Sequence, residues 1–187
     1  MNLKHYDCTF TSTLSSDVCN RIIKHGLSQP LEKALVNDGQ HISGIRDSDL
    51  VWLYDSWIYD LLQPYIERAN QVSEWNFQYE SSDGIQFTRY GVGQYYDWHK
   101  DSNIPPQPDG KIRKISITVN LNDDYEGGEF YIDTAETYGK TNHIEVVDLK
   151  PKGSIYVFPS DVWHKVDKVT KGVRYALVVW VKGEAWR

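Results

Sequence analysis

The chain has 187 residues and a formal charge of −6, from 20 lysines and arginines against 26 aspartates and glutamates. A chain of this size buries about 70% of its unfolded surface, enough for one sizeable core. Its basic residues are scattered rather than gathered into the stripe of a nucleic-acid footprint, which argues against a DNA or RNA substrate. No stretch approaches the roughly 18 apolar residues of a membrane span, and Met1 to Phe10 lacks a signal-peptide core. Cys8 and Cys19 have no further thiols at zinc-ligand spacing and read as reduced thiols. The expectation is a cytoplasmic protein.

Ser15-Ser16-Asp17 is a good N-cap before Val18, Ile22 and Ile23, which share a helical face, and Gly26 reads as the stop. A second helix starts near Asp55, with Ile58, Leu61, Leu62, Tyr65, Ile66 and Ala69 at helical spacing. Pro64 inside it predicts a kink or break. Between the helices, residues 33–36 and 43–53 read as short strands or irregular chain. From Trp75 the period changes to two. Strands are expected at 77–79, 85–90, 95–98, 115–121, 130–132, 144–147, 154–158 and 173–181. Turn signals separate them: Gly91-Val-Gly93, Asp109-Gly110, Glu126-Gly-Gly128 and Lys150-Pro-Lys-Gly153. Short strands without intervening helices predict a mainly β fold, a sandwich or jelly-roll barrel. Two loops stand out, the Pro-rich 102–111 and the polar 134–143.

His99-Lys-Asp101 places an imidazole and a carboxylate on one face of an extended chain. The triplet alone is weak, because His5-Tyr-Asp7 and His143-Ile-Glu145 have the same shape and read as surface pairs. Context separates them. His164 lies downstream, at the end of an apolar strand. Two imidazoles and one carboxylate would leave three positions open, the facial arrangement of non-haem Fe(II) oxygenases. Arg174 opens an apolar strand, 175–180. It either faces solvent or an acidic neighbour at a strand end, or grips a ligand carboxylate in two-point fashion. Tyr90 is either a core tyrosine or a hydrogen-bond donor to the same ligand. Trp98 and Trp163 either shape an apolar surround for the histidines or are ordinary core.

The run Tyr90-Gly-Val-Gly93, His99-Lys-Asp101, Asp124-Tyr-Glu-Gly-Gly-Glu129, Pro159, His164-Lys-Val166, Gly172-Val-Arg-Tyr175 and Trp180 resembles the prolyl 4-hydroxylase-like branch of the Fe(II)/2-oxoglutarate oxygenases. It is especially similar to PKHD-type hydroxylases. The resemblance covers about residues 85–180, and Arg46-Asp-Ser48 looks like a segment that this branch carries ahead of its core. It implies a double-stranded β-helix (a jelly-roll or cupin-like barrel) buttressed by N-terminal helices. It implies one domain, with 1–74 as helical support and outer strands and 75–187 as catalytic core. It also implies His99, Asp101 and His164 as iron ligands, Arg174 as partner of the distal 2-oxoglutarate carboxylate and Tyr90 beside it, with O2 as cosubstrate and ascorbate as a stimulant. Asn120 departs from relatives that have tyrosine there.

The activity implied is hydroxylation of a peptidyl prolyl or other protein side chain, with 2-oxoglutarate decarboxylated to succinate, by a monomer or homodimer. The Pro-rich loop is either a lid over an extended substrate or a plain connection. The alternatives are a hydroxylase of a free amino acid or small molecule, and a non-catalytic cupin-like metal-binding module. Alkylation-repair chemistry is disfavoured, because Trp180 stands where those enzymes carry a second arginine.

Overall fold

A computed structural model describes residues 5–34, 44–102, 106–135 and 139–185. Among these residues two α-helices and fifteen strands follow in chain order: β1 (Cys8–Phe10), α1 (Ser16–Leu27), β2 (Glu32–Lys33), β3 (Arg46–Asp47), β4 (Asp49–Leu53), α2 (Ser56–Val72), β5 (Ser81–Ser82), β6 (Ile85–Tyr90), β7 (Tyr95–His99), β8 (Lys111–Asn120), β9 (Glu126–Gly127), β10 (Phe130–Asp133), β11 (His143–Glu145), β12 (Ile155–Pro159), β13 (Trp163–Val166), β14 (Val169–Lys171) and β15 (Arg174–Glu184).

The strands form an eight-stranded antiparallel sheet, in the order β1-β12-β8-β15-β6-β4-β2 with β5 beside β15, and a five-stranded one, β11-β10-β13-β7-β3. A β14-β9 ribbon completes the set. This is the expected mainly β architecture, a double-stranded β-helix with helices on one side, and its two sheets stay open rather than closing into a barrel.

Alternation along the large sheet sorts its two faces. Ile85 and Phe87 of β6, Ile115, Ile117 and Val119 of β8, and Leu177, Val179 and Val181 of β15 join one apolar core. Ile58, Leu62, Ile66 and Ala69 of α2 and Cys19 and Ile22 of α1 complete that core. The intervening residues turn to the small sheet. They include Gln86, Thr88, Ser116, Thr118, Asn120 and Arg174, all buried. Helical cover on one face thus frees the other to be polar.

Ser15 caps α1, its Oγ accepting from the Val18 amide at 3.3 Å. Gly26 does not stop that helix. It lies inside it, where a Cβ would meet the Phe87 ring at 2.5 Å, so its role is close approach of helix to sheet. Helix α2 runs through Pro64 unbroken. Pro64 and Asp60 are both exposed, so water can satisfy the carbonyl that proline leaves free.

The strand expected at 77–79 is absent. Glu74 and Asn76 adopt positive φ. The Asn70 side chain bonds both the amide and the carbonyl of Phe77 (2.9 and 3.0 Å), so it takes a neighbouring strand's place. Residues 35, 36 and 43 of the early expected strands, 103–105 of the Pro-rich loop and 136–138 of the polar loop lie outside the described residues.

Gly26→Ala tests the helix–sheet contact. Alanine gains about 1 kcal/mol of helix propensity, but overpacking against a buried ring costs about 1–3 kcal/mol. A net loss of stability is expected, read as a lower urea midpoint. An unchanged or higher midpoint would mean that the Phe87 ring yields freely.

Candidate metal centre

His99 ends β7 and His164 lies on β13, and the two are direct partners across that antiparallel pair. Asp101 follows β7 in a turn held down by Ser160, whose carbonyl accepts from the amides of Asp101 (2.9 Å) and Ser102 (2.8 Å). The ligand-capable atoms of the three residues lie within 4.8 Å of one another. They are the one group of three or more such residues found among the described residues. His99 Nε2 is 3.7 Å from Asp101 Oδ1, and His164 Nε2 is 3.5 Å from Asp101 Oδ2.

The other ring nitrogens settle the tautomers. His99 Nδ1 lies 2.8 Å from the Asp97 carbonyl and His164 Nδ1 2.9 Å from the Val162 carbonyl. A carbonyl only accepts, so Nδ1–H donates in both rings and Nε2 is the nitrogen each ring turns toward Asp101. Burial, then the neighbouring His164, pushes His99 down to about 3 against the pull of Asp101, so the ring is neutral at physiological pH. Burial works to raise the Asp101 carboxyl, but the two imidazoles, Arg113 and the Ser116 hydrogen bond outweigh it and hold it below its ordinary value. Two imidazole nitrogens and a carboxylate therefore converge on one point. Two imidazoles with one carboxylate suit Fe(II) with positions left open.

The Tyr96 ring stacks on His99 at 3.4 Å, and the Arg46 guanidinium sits 4.5 Å above Tyr96. Burial above all pushes the Tyr96 hydroxyl up to about 12. Phe158 and Phe130 pack on His164 at 4.7 and 5.6 Å. These three aromatics supply the surround that the sequence offered to Trp98 and Trp163. Those two tryptophans point out of the cleft. Trp98 stacks on exposed His143 at 4.3 Å, and Trp163 is 47% exposed under Lys100.

Arg174 pairs with Tyr90 across β15 and β6, only 2% exposed, its guanidinium 5.5 Å above the Tyr90 ring. Its Nε is buried without a hydrogen-bond partner, and no ion pair to it is found among the described residues. A buried cation in this state calls for an anionic ligand. Gly128 makes room for it: at φ +66°, a Cβ there would lie 3.2 Å from Arg174 Cδ and 3.3 Å from the Tyr125 ring. The solvent-facing alternative for Arg174 is thereby excluded, and its buried guanidinium suits a ligand carboxylate.

Tyr90, His99, Asp101, His164 and Arg174 all line one cleft. Sequence reasoning did not single out Gln86, Tyr96, Thr118, Phe130 or Phe158 on the same walls. The alternation of β6 and β8 is the signal that finds Gln86 and Thr118. His5 and His143 join no such group. Asn120 is committed elsewhere. Its amide donates to the carbonyls of Asn122 (2.7 Å) and Lys150 (2.6 Å), and its Oδ1 accepts from Tyr125 (3.0 Å). It is a strut rather than a cosubstrate contact.

Comparison with known proteins agrees with this geometry. The chain is 36% identical over 118 residues to a PKHD-type hydroxylase of Thermosynechococcus vestitus, covering 60% of this chain and 49% of that one. It spans about half the length of the curated relatives it matches. Among solved structures it resembles the viral collagen prolyl hydroxylase of Paramecium Bursaria Chlorella virus-1 in its 2OG complex (TM-score 0.70, 20% identity, covering 96% and 97% of the two chains). It also resembles a prolyl hydroxylase from Trichoplax adhaerens in complex with a hypoxia inducible factor peptide fragment (TM-score 0.74, 17% identity, covering 95% and 84%). At such identities these likenesses speak for the fold. The family model of the 2OG-Fe(II) oxygenase superfamily matches residues 85–182, just over half of the chain, and the chain belongs to that superfamily.

Proposed function

We propose that the protein is an Fe(II)- and 2-oxoglutarate-dependent dioxygenase that hydroxylates a C–H bond of a protein side chain, a peptidyl proline above all. In this reading His99, Asp101 and His164 hold the iron, Arg174 pairs with the distal carboxylate of 2-oxoglutarate and Tyr90 lies beside it. The chain acts as one domain, residues 1–74 supporting the core at 75–187. The observation that carries the proposal is the pairing within one cleft of a His-Asp-His ligand group and a buried arginine lacking an anionic partner. The prolyl choice rests on the relatives: a PKHD-type hydroxylase by sequence and prolyl hydroxylases by fold.

When bound, iron, 2-oxoglutarate and O2 supply the oxidising power for C–H hydroxylation, with release of succinate and carbon dioxide. The chain's residues do the rest. The carbonyls of Asp97 and Val162 fix both imidazoles with Nε2 inward. Tyr96, Phe130 and Phe158 pack on the two imidazoles and would give a bound iron an apolar surround. Arg174 orients its ligand by charge-assisted hydrogen bonds.

Succinate release from 2-oxoglutarate, by protein given Fe(II) and then O2, checks the cofactors without knowledge of the substrate. His99→Ala is expected to give none above background. Arg174→Ala is expected to raise KM for 2-oxoglutarate at least about 30-fold, the equivalent of losing about 2 kcal/mol from a buried charge pair. Equal succinate from all three proteins would overturn the assignment. The substrate class is checked separately by mass spectrometry of Pro-containing peptide libraries, where a gain of one oxygen on proline is expected. Turnover of free amino acids with every peptide untouched would move the activity to small molecules.

A further inference from the structure

Asp101 reaches the cleft from the small sheet, yet its carboxylate is held from the large one. Ser116, on β8, donates from Oγ to Asp101 Oδ2 at 2.7 Å. Ser116 Oγ lies 2.9 Å from Ser160 Oγ, just beyond the end of β12. Both serines are sealed from solvent, at 0% and 1% exposure. The direction of this chain follows from proton inventory. Ser116 Oγ is the donor to Asp101 Oδ2, so its one hydroxyl proton is spent there, and Ser160 must donate to Ser116. Ser160 is itself fixed by its backbone, its amide donating to the Lys114 carbonyl (3.0 Å) and its carbonyl accepting from the amides of Asp101 and Ser102. One residue thus grips the Asp101 turn through its main chain and feeds the carboxylate through its side chain.

We infer that Ser116 and Ser160 are positioning residues for the metal: a directed Ser160→Ser116→Asp101 hydrogen-bond relay that sets the carboxylate's rotation and ties the ligand turn to the large sheet. The inference rests on the proposed metal site and deepens it. His99 and His164 are oriented by backbone carbonyls, which no side-chain replacement removes. Asp101 alone depends on side-chain hydroxyls, so it is the ligand whose aim is set by replaceable groups. Oδ2 is the oxygen the relay engages, so turning the carboxylate also changes what Oδ1 offers. Chain cooperativity strengthens each bond of such a relay and leaves the terminal acceptor the best satisfied.

The test is calorimetric titration of the full chain with Mn(II), a redox-inert probe, with the absorption spectrum of the Co(II)-loaded protein as a report on ligand geometry. Ser116→Ala should weaken Mn(II) binding about 10-fold or more, the scale on which supporting hydrogen bonds act. It should also shift the Co(II) bands. Ser116→Cys keeps the volume but donates weakly, and should resemble Ser116→Ala. Ser160→Ala removes only the relay's tail and should weaken binding about three-fold, a fraction of the Ser116 effect. It decides the matter should the Ser116 variants fail to fold. Thr88→Ala, a buried hydroxyl on the same sheet face that bonds Gln86, should stay within about two-fold of the parent. His99→Ala separates the two levels of argument. Metal binding lost with His99→Ala but unchanged in the serine variants would overturn the relay and leave the site standing. Binding unchanged in His99→Ala would overturn the site itself. A Thr88→Ala loss equal to that of Ser116→Ala would also overturn the relay, since it would mark general loosening of the face.

Discussion

Two charges of opposite sign line one buried cleft without meeting. The Asp101 carboxylate sits between two imidazoles, and the Arg174 guanidinium lies over Tyr90. A direct pair would satisfy both and leave nothing to bind. No ion pair joins them among the described residues, because they are fixed to different parts of the frame. Asp101 belongs to the turn after β7 and is held by Ser160 and Ser116, whereas Arg174 opens β15 and is locked in register against Tyr90. Keeping unpaired charge apart in a low dielectric costs several kcal/mol per ion in general. The architecture is what tolerates that cost.

It does so through the two-sidedness of the large sheet. One face carries isoleucine, valine and leucine against the two helices. The stability gained there leaves the other face free to hold serine, threonine, asparagine, glutamine and arginine in the interior. Most of these are tied into hydrogen bonds: Gln86 to Thr88, Ser116 to Asp101, Asn120 to two carbonyls and a tyrosine. The atoms left unsatisfied are informative for that reason. Arg174 Nε and Trp180 Nε1 are both buried without a partner, and both side chains line the cleft. Arg46 Nη2 is in the same state, on the guanidinium that lies over Tyr96.

How much of this was legible in the sequence follows from which forces are local. Helix starts were readable, because a cap and an apolar stripe lie within one segment: Ser15 and Asp55 stand where the sequence put them. Four of the eight strands of the large sheet, β6, β8, β12 and β15, were readable from period two. Strand β13 was not. Trp163-His-Lys-Val166 is four residues long and its tryptophan faces solvent, so apolarity points to the wrong side. His164 therefore read as the end of the preceding strand, although it sits in the middle of its own. Gly26 carries the same glycine signal whether it ends a helix or lets a sheet approach, and only the Phe87 ring decides. The spacing of His99 and Asp101 suggested two residues of one straight strand. In fact β7 ends at His99, and the carboxylate returns to the cleft because Ser160, distant in sequence, captures the turn.

That last case shows where the chemistry of the centre is decided. An i, i+2 pair is common, and this chain has two other triplets of the same shape that join no cluster. What distinguishes His99 and Asp101 is not the pair but its surroundings. A β-partner brings in His164, two backbone carbonyls force both Nε2 atoms inward, and a hydroxyl chain turns the carboxylate toward them. Each part is supplied by a different element, and each is weak alone. Burial and the neighbouring imidazole keep His99 from taking a proton near neutral pH, which leaves that ring able to bind a metal. A metal cation satisfies all three side chains at once.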